Sequence, residues 1–163
     1  MRENIAICMD YGRFKSHKIH IKKKMSYNFL EHTADVKFQA SGSTLEEAFL
    51  ESAQALLETI KGNIEILEQQ EKQIKINGKD LESLLYGFLE EIIVVLDSEE
   101  FLVSKIKDLE IDKSSFILKA TLTGDKASNY HFTNDVKAVT YNNMFVKQDD
   151  KTKEWTCQVV LDV

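Results

Sequence analysis

Apolar and polar residues alternate first at Val36, Phe38 and Ala40, with Lys37 and Gln39 between them. That period of two predicts a half-buried strand ending at Ser41-Gly42. Leu45, Ala48, Phe49, Ser52, Ala53, Leu56, Leu57 and Ile60 then recur at i, i+3, i+4 and i+7. This is the stripe of an amphipathic helix, opened by a capping box of Thr44 with Glu47 and closed by Gly62. Its glutamates, Glu46, Glu47, Glu51 and Glu58, read as an exposed, solubilising face. A strand follows over about 71–77, with Ile74 and Ile76 on one side and a turn at Asn77-Gly78. Asp80 caps a second helix over roughly 80–97. Its apolar residues, from Leu81 and Leu84 through Phe88 to Val95 and Leu96, cover more than one stripe, so it should be buried on most sides. The remainder alternates like strands over 102–111, 116–122, 136–141, 144–147 and 155–161, with tight hairpin connections at 112–115 and 149–153. The order of elements predicts an α+β fold, a single compact domain with two helices packed against antiparallel or mixed β-sheet.

Composition narrows the class. The 163 residues suit one domain, and 43% hydrophobic with 29% charged residues is globular usage. The longest apolar run, Ile92 to Leu96, has five residues against roughly 20 for a bilayer span, so no helical membrane segment is expected. Cys8 and Cys157 are far apart and form no CxxC pair, which argues against a disulfide scaffold or cysteine zinc module and points to a reducing compartment. Net charge divides unevenly: residues 1–24 carry +5 and residues 25–163 carry −11. An acidic body is poorly suited to gripping phosphate backbones directly, so any service to nucleic acid should run through a partner. The basic stretch 1–24 lacks the features of a secretory signal, and the expectation is an unpacked leader ahead of a start at Met25, with a nucleic-acid arm as the alternative.

The sequence contains no GxGxxG, P-loop, GxSxG or HExxH, and its six glycines are scattered. Nucleotide chemistry of its own is therefore not expected. Three places could carry chemistry. Glu31-His32-Thr33-Ala34-Asp35 crowds ionisable groups at the entrance to the first predicted strand. Taken alone, Asp35 suits a turn and His32 a hydrogen-bonded structural role as readily as ligation or base chemistry. Val159-Val160-Leu161-Asp162-Val163 places the Asp162 carboxylate beside the Val163 terminus on a strand. Such oxygens are the ligands that hard cations take, so Asp35, Asp162 and Val163 could form a shell if the fold brings them together. Lys137, in Asp135–Tyr141, is a cation on an apolar strand, predicted to share a face with Val139 and Tyr141 and to follow a loop holding Asp125 and His131.

FLEHTADV at 29–36, TLEEAFLESAQAL at 44–56, LLYGFLEEIIVVLDSE from Leu84, VKAVTY at 136–141 and the closing VVLDV together resemble the archease family over about 25–163. The chain differs from the family pattern at Asn142, where histidine is usual, at Phe88, where tryptophan is common, and at Asp125, where glutamate is usual. The resemblance implies a small cytoplasmic α+β protein acting in tRNA splicing and RNA ligation, an activator rather than an enzyme, with no catalytic residue of its own. Its implied partner is the GTP-dependent RNA ligase RtcB, whose guanylylation and multiple turnover it would promote, meeting RNA only through that ligase. The implied cofactor is calcium, or another divalent cation, on Asp35, Asp162 and Val163, with His32, Lys137 and His131 adjacent. Two alternatives stand beside it: a metal-dependent hydrolase with His32 as base, and a general chaperone-like modulator of nucleic-acid enzymes.

Overall fold

The computed structural model describes residues 26–133 and 135–163; the basic stretch 1–24 and the expected start at Met25 lie outside the described residues. The elements are β1 (Tyr27–Leu30), β2 (Val36–Gly42), α1 (Leu45–Lys61), β3 (Gln70–Asn77), α2 (Leu81–Glu99), β4 (Phe101–Asp112), β5 (Ile117–Lys126), a 3-10 turn (Ala127–Asn129), β6 (Ala138–Gln148) and β7 (Trp155–Asp162). The strands form two sheets ordered β1-β2-β7-β6 and β3-β5-β4. Every pairing is antiparallel, which settles the antiparallel-or-mixed expectation. The fold is α+β, with both helices against the sheets.

The helices form where the spacing predicts. Thr44 Oγ1 accepts the Glu47 N–H at 3.1 Å, but the Glu47 carboxylate accepts from Ser43 rather than from Thr44, so the predicted capping box is only half made. Gly62 ends α1 with φ of 59°, a value that costs glycine nothing and donates its N–H to Glu58 O. Asp80 caps α2 in a complete reciprocal box with Ser83. As expected, α2 is buried widely, through Leu84, Leu85, Phe88, Leu89, Ile92, Ile93, Val95 and Leu96. It packs on strands of both sheets, and the Phe49 and Phe88 rings stack at 6.3 Å to join the helices. Gly124 is required by space: a Cβ there would lie 2.1 Å from Leu102 O on the neighbouring strand.

Four expectations are corrected. The segment 27–30, not read as a strand, is β1. The pieces 136–141 and 144–147 are one strand, β6, interrupted between Thr140 and Phe145 by a register shift. Thr140 faces Val160 while Phe145 faces Gln158, so β6 carries three extra residues there. Val136 and Lys137 precede that strand, and Val136 and Val139 are both buried, so simple alternation fails at this point. Finally, Glu51 is 5% exposed and Glu58 accepts a 2.5 Å hydrogen bond from Tyr27 Oη. The glutamate face of α1 is partly covered by β1 rather than freely solvated.

Cys157 is fully buried, which pushes its thiol up to about 12 and makes it a packing residue rather than a nucleophile. No helix among the described residues is long and apolar enough to cross a membrane.

Candidate functional site

One end of the four-stranded sheet collects most of the singled-out residues. Val36 pairs with Leu161, so Asp35, just before β2, and Asp162, at the end of β7, lie at the same end of adjacent strands. Ala138 pairs with Asp162 on the other side of β7, and the Lys137 N–H donates to Asp162 O at 2.8 Å. Strand alternation places Asp162 on the opposite face from Leu161, which is in the core. The Lys137 ammonium donates to Val163 O at 3.1 Å. Three chain segments far apart in sequence therefore converge, held by antiparallel pairing rather than by any local motif.

His32 joins them loosely. Its Nδ1 lies 3.7 Å from Asp35 Oδ2, and that nitrogen is buried without a hydrogen-bond partner among the described residues. Ala34 between them has φ of 68°, a left-handed residue that bends the chain sharply into β2. His131 is different. It is exposed and makes no hydrogen bond or ion pair among the described residues. Asp125, expected near Lys137, instead takes the Tyr130 hydroxyl at 2.8 Å, the Lys126 N–H at 2.7 Å and the Asn129 amide at 3.2 Å. Those donors hold its carboxyl below the ordinary range, the Tyr130 hydrogen bond first. Asp125 is a latch for its own loop.

The donor chemistry suits a hard cation, because Asp35, Asp162 and Val163 offer carboxylate and carbonyl oxygens. Among the described residues no three His, Cys, Asp or Glu side chains gather closely enough to hold a metal by themselves. Lys137 also already engages Val163 O. The set thus fits a divalent cation only as a weak site completed by water.

A concavity that holds none of these residues escaped the sequence reading. A cleft of about 510 Å³ is lined by Tyr27, Gln54, Glu58, Lys61, Asn63 and Lys105, among others. Burial and the Glu58 hydrogen bond raise the Tyr27 phenol well above its ordinary 10.0, and burial lowers the Lys61 ammonium, whose Nζ donates to Ile64 O at 2.9 Å. Periodicity could not reveal it, because Glu58 reads as a polar-face residue until β1 is placed over it.

With this geometry in hand, known proteins offer a direct comparison. The model of the archease protein family matches residues 27–163. Protein archease of Pyrobaculum neutrophilum is 36% identical over 145 residues, covering 86% of this chain and 97% of its own length. Protein archease of Methanosarcina mazei is 32% identical over 141 residues, covering 84% and 95% respectively. The solution structure of Methanobacterium thermoautotrophicum protein 1598 superposes with a TM-score of 0.73 at 32% identity, over 85% of this chain and 99% of that one. A match over nearly all of the described residues, on the same two-helix antiparallel architecture, places the chain in the archease family.

Proposed function

We propose that this chain is an accessory protein of RNA ligation, which promotes guanylylation and repeated turnover of the GTP-dependent ligase RtcB. Membership of the archease family supports an accessory protein working with an RNA-processing partner rather than an enzyme in its own right. The observation that carries the finer reading is the convergence of Asp35, Asp162 and Val163 at one sheet end through the β2–β7 register. In this reading calcium, or another divalent cation, is held by those three residues, and the protein works in the cytoplasm.

Asp162 sits on a strand end whose backbone is fixed by pairing with Ala138, and Asp35 directly precedes the paired residue Val36, so both carboxylates can be offered to a partner at little ordering cost. Lys137, just before β6, ties itself to the end of β7 by its N–H on Asp162 O and its ammonium on Val163 O, orienting those last two residues. A divalent cation bound there would neutralise the paired carboxylates and link them to oxygen ligands of a partner. The acidic balance of residues 25–163 favours encounter with a basic cleft, by electrostatic steering.

The test is double charge reversal, Asp35→Lys with Asp162→Lys. Stimulation of the ligase and calorimetric calcium binding should both vanish while the melting temperature stays close to wild type. Undiminished stimulation would remove the sheet end from the mechanism.

A further inference from the structure

Five large hydrophobic side chains are exposed among the described residues: Phe29, Leu30, Leu67, Val94 and Tyr141. Tyr141 is set apart by its support. Its ring lies flat on Tyr86 of α2, with centroids 4.3 Å apart and planes 6° from parallel. Yet the residue is 56% exposed. One face of the ring is held by Tyr86, so the other is presented outward in a fixed orientation.

The strand is shaped to do this. Tyr141 begins the three-residue excess in β6, at the open edge of the β1-β2-β7-β6 sheet. Asn143 within it takes the left-handed φ of 56°, and Gln158 Nε2 pins Asn143 O at 2.7 Å. Bulges of this kind re-aim a side chain away from the regular pleat.

Charge around the ring pair has one sign. Glu82 and Glu90 lie one helical turn either side of Tyr86, on the same face of α2. Glu90 Oε2 accepts the Val139 N–H at 3.2 Å, and Glu82 Oε1 accepts the Val146 N–H at 3.3 Å. These two edge-strand positions bracket Tyr141, so the carboxylates flank the stacked rings. Neither pairs with a lysine, arginine or histidine among the described residues. Asp80 adds its field to burial and Tyr86 in raising the Tyr141 phenol above its ordinary 10.0.

An aromatic face is electron-rich, and two flanking carboxylates deepen the attraction for a cation. The place is an open strand edge, so it suits a side chain carried by a macromolecule better than a free ion. A guanidinium is planar, weakly hydrated, and able to stack on a ring while donating sideways to carboxylates. We propose that Tyr141, seated on Tyr86 and flanked by Glu82 and Glu90, receives an arginine side chain of a basic protein partner. Taking that partner to be the ligase rests on the function proposed above.

Two arms test this. In the first, the full chain binds the cognate RtcB-type ligase, measured by calorimetry. Tyr141→Ala should weaken binding about tenfold or more, as expected for an aromatic anchor. Tyr141→Phe should stay within about twofold, since the ring face persists. Glu82→Gln with Glu90→Gln should weaken binding and flatten its salt dependence. In the second arm, acetyl-(Arg-Gly)-repeat peptide and its lysine counterpart are titrated while the Tyr141 ring protons are followed by NMR. The arginine peptide should shift them more than the lysine peptide, and not after charge removal at both glutamates. Wild-type affinity in Tyr141→Ala, with an unchanged melting temperature, would overturn the proposal. So would ring protons that ignore the arginine peptide. Ligase that fails to bind even wild type, beside a normal peptide response, would sink the ligase reading and leave the arginine anchor standing.

Discussion

The two sheets handle charge in opposite ways. On the β3-β5-β4 sheet, Glu68 takes ion pairs from both Lys105 and Lys107 and a hydrogen bond from Thr123, and Lys107 also approaches Glu71. The Lys105 and Lys107 hydrogen bonds hold the Glu68 carboxyl down at about 2. Its charges are spent within the molecule. At the end of the β1-β2-β7-β6 sheet, Asp35 has among the described residues only the 3.7 Å approach of His32, and Lys137 engages Val163 O rather than the Asp35 or Asp162 side chain. Acids answered by lysines within the molecule serve the fold. Acids left facing outward at this sheet end are the ones the proposed function would use toward a ligand or partner.

The contrast can be stressed in stages. The largest effect should come from Phe88→Ala, which empties a fully buried position on the helix that packs on both sheets. A loss of about 3–5 kcal/mol is expected, in a single urea transition read identically by circular dichroism and Trp155 fluorescence. Two separate transitions would show that the sheets fold as independent units. Gly124→Ala drives a Cβ into Leu102 O on the β3-β5-β4 side and should cost about 1–3 kcal/mol. Ligase stimulation per folded molecule should nevertheless be kept, the converse of the charge reversal at Asp35 and Asp162. Asp80→Ala removes the α2 cap, with an expected loss of about 1 kcal/mol in denaturant melts.

The smallest effect is the most discriminating. Glu68 is depressed from the ordinary 4.5 to about 2. It binds a proton more readily unfolded than folded, so its contribution is present above pH 4.5 and is lost as pH falls toward 2. Glu68→Gln should be slightly less stable at pH 7 and lose less than wild type between pH 5 and 2.5. Equal acid slopes in thermal melts would show that the pair network is surface decoration.

Much of the fold was legible because periodicity and caps are local. The α1 stripe, the broad apolar coverage of α2 and the Asp80 cap needed nothing beyond their neighbours in sequence. β1 was not legible, since only Tyr27 of its four residues is even half-buried and no alternation marks it. Missing β1 had a consequence: Glu51 and Glu58 looked solvated until Ser26 and Tyr27 were found over them. β6 broke in two on paper because its excess residues, Tyr141 to Asn143, interrupt the period. The site shows the same division. Asp35 and Asp162 could be named for their chemistry, but their adjacency is a matter of strand register, set by the pairing of segments more than 120 residues apart. Lys137 reads from alternation as a sheet-face cation and from the family resemblance as a neighbour of the site, and its ammonium donates to Val163 O.

The central claim is most directly tested by following ligase–GMP formation by the cognate RtcB-type ligase with GTP, over several turnovers, with this protein at substoichiometric amounts. Acceleration beyond one turnover per ligase, lost in the Asp35→Lys, Asp162→Lys variant, is the predicted result. Identical progress curves with and without the protein, calcium present, would contradict it.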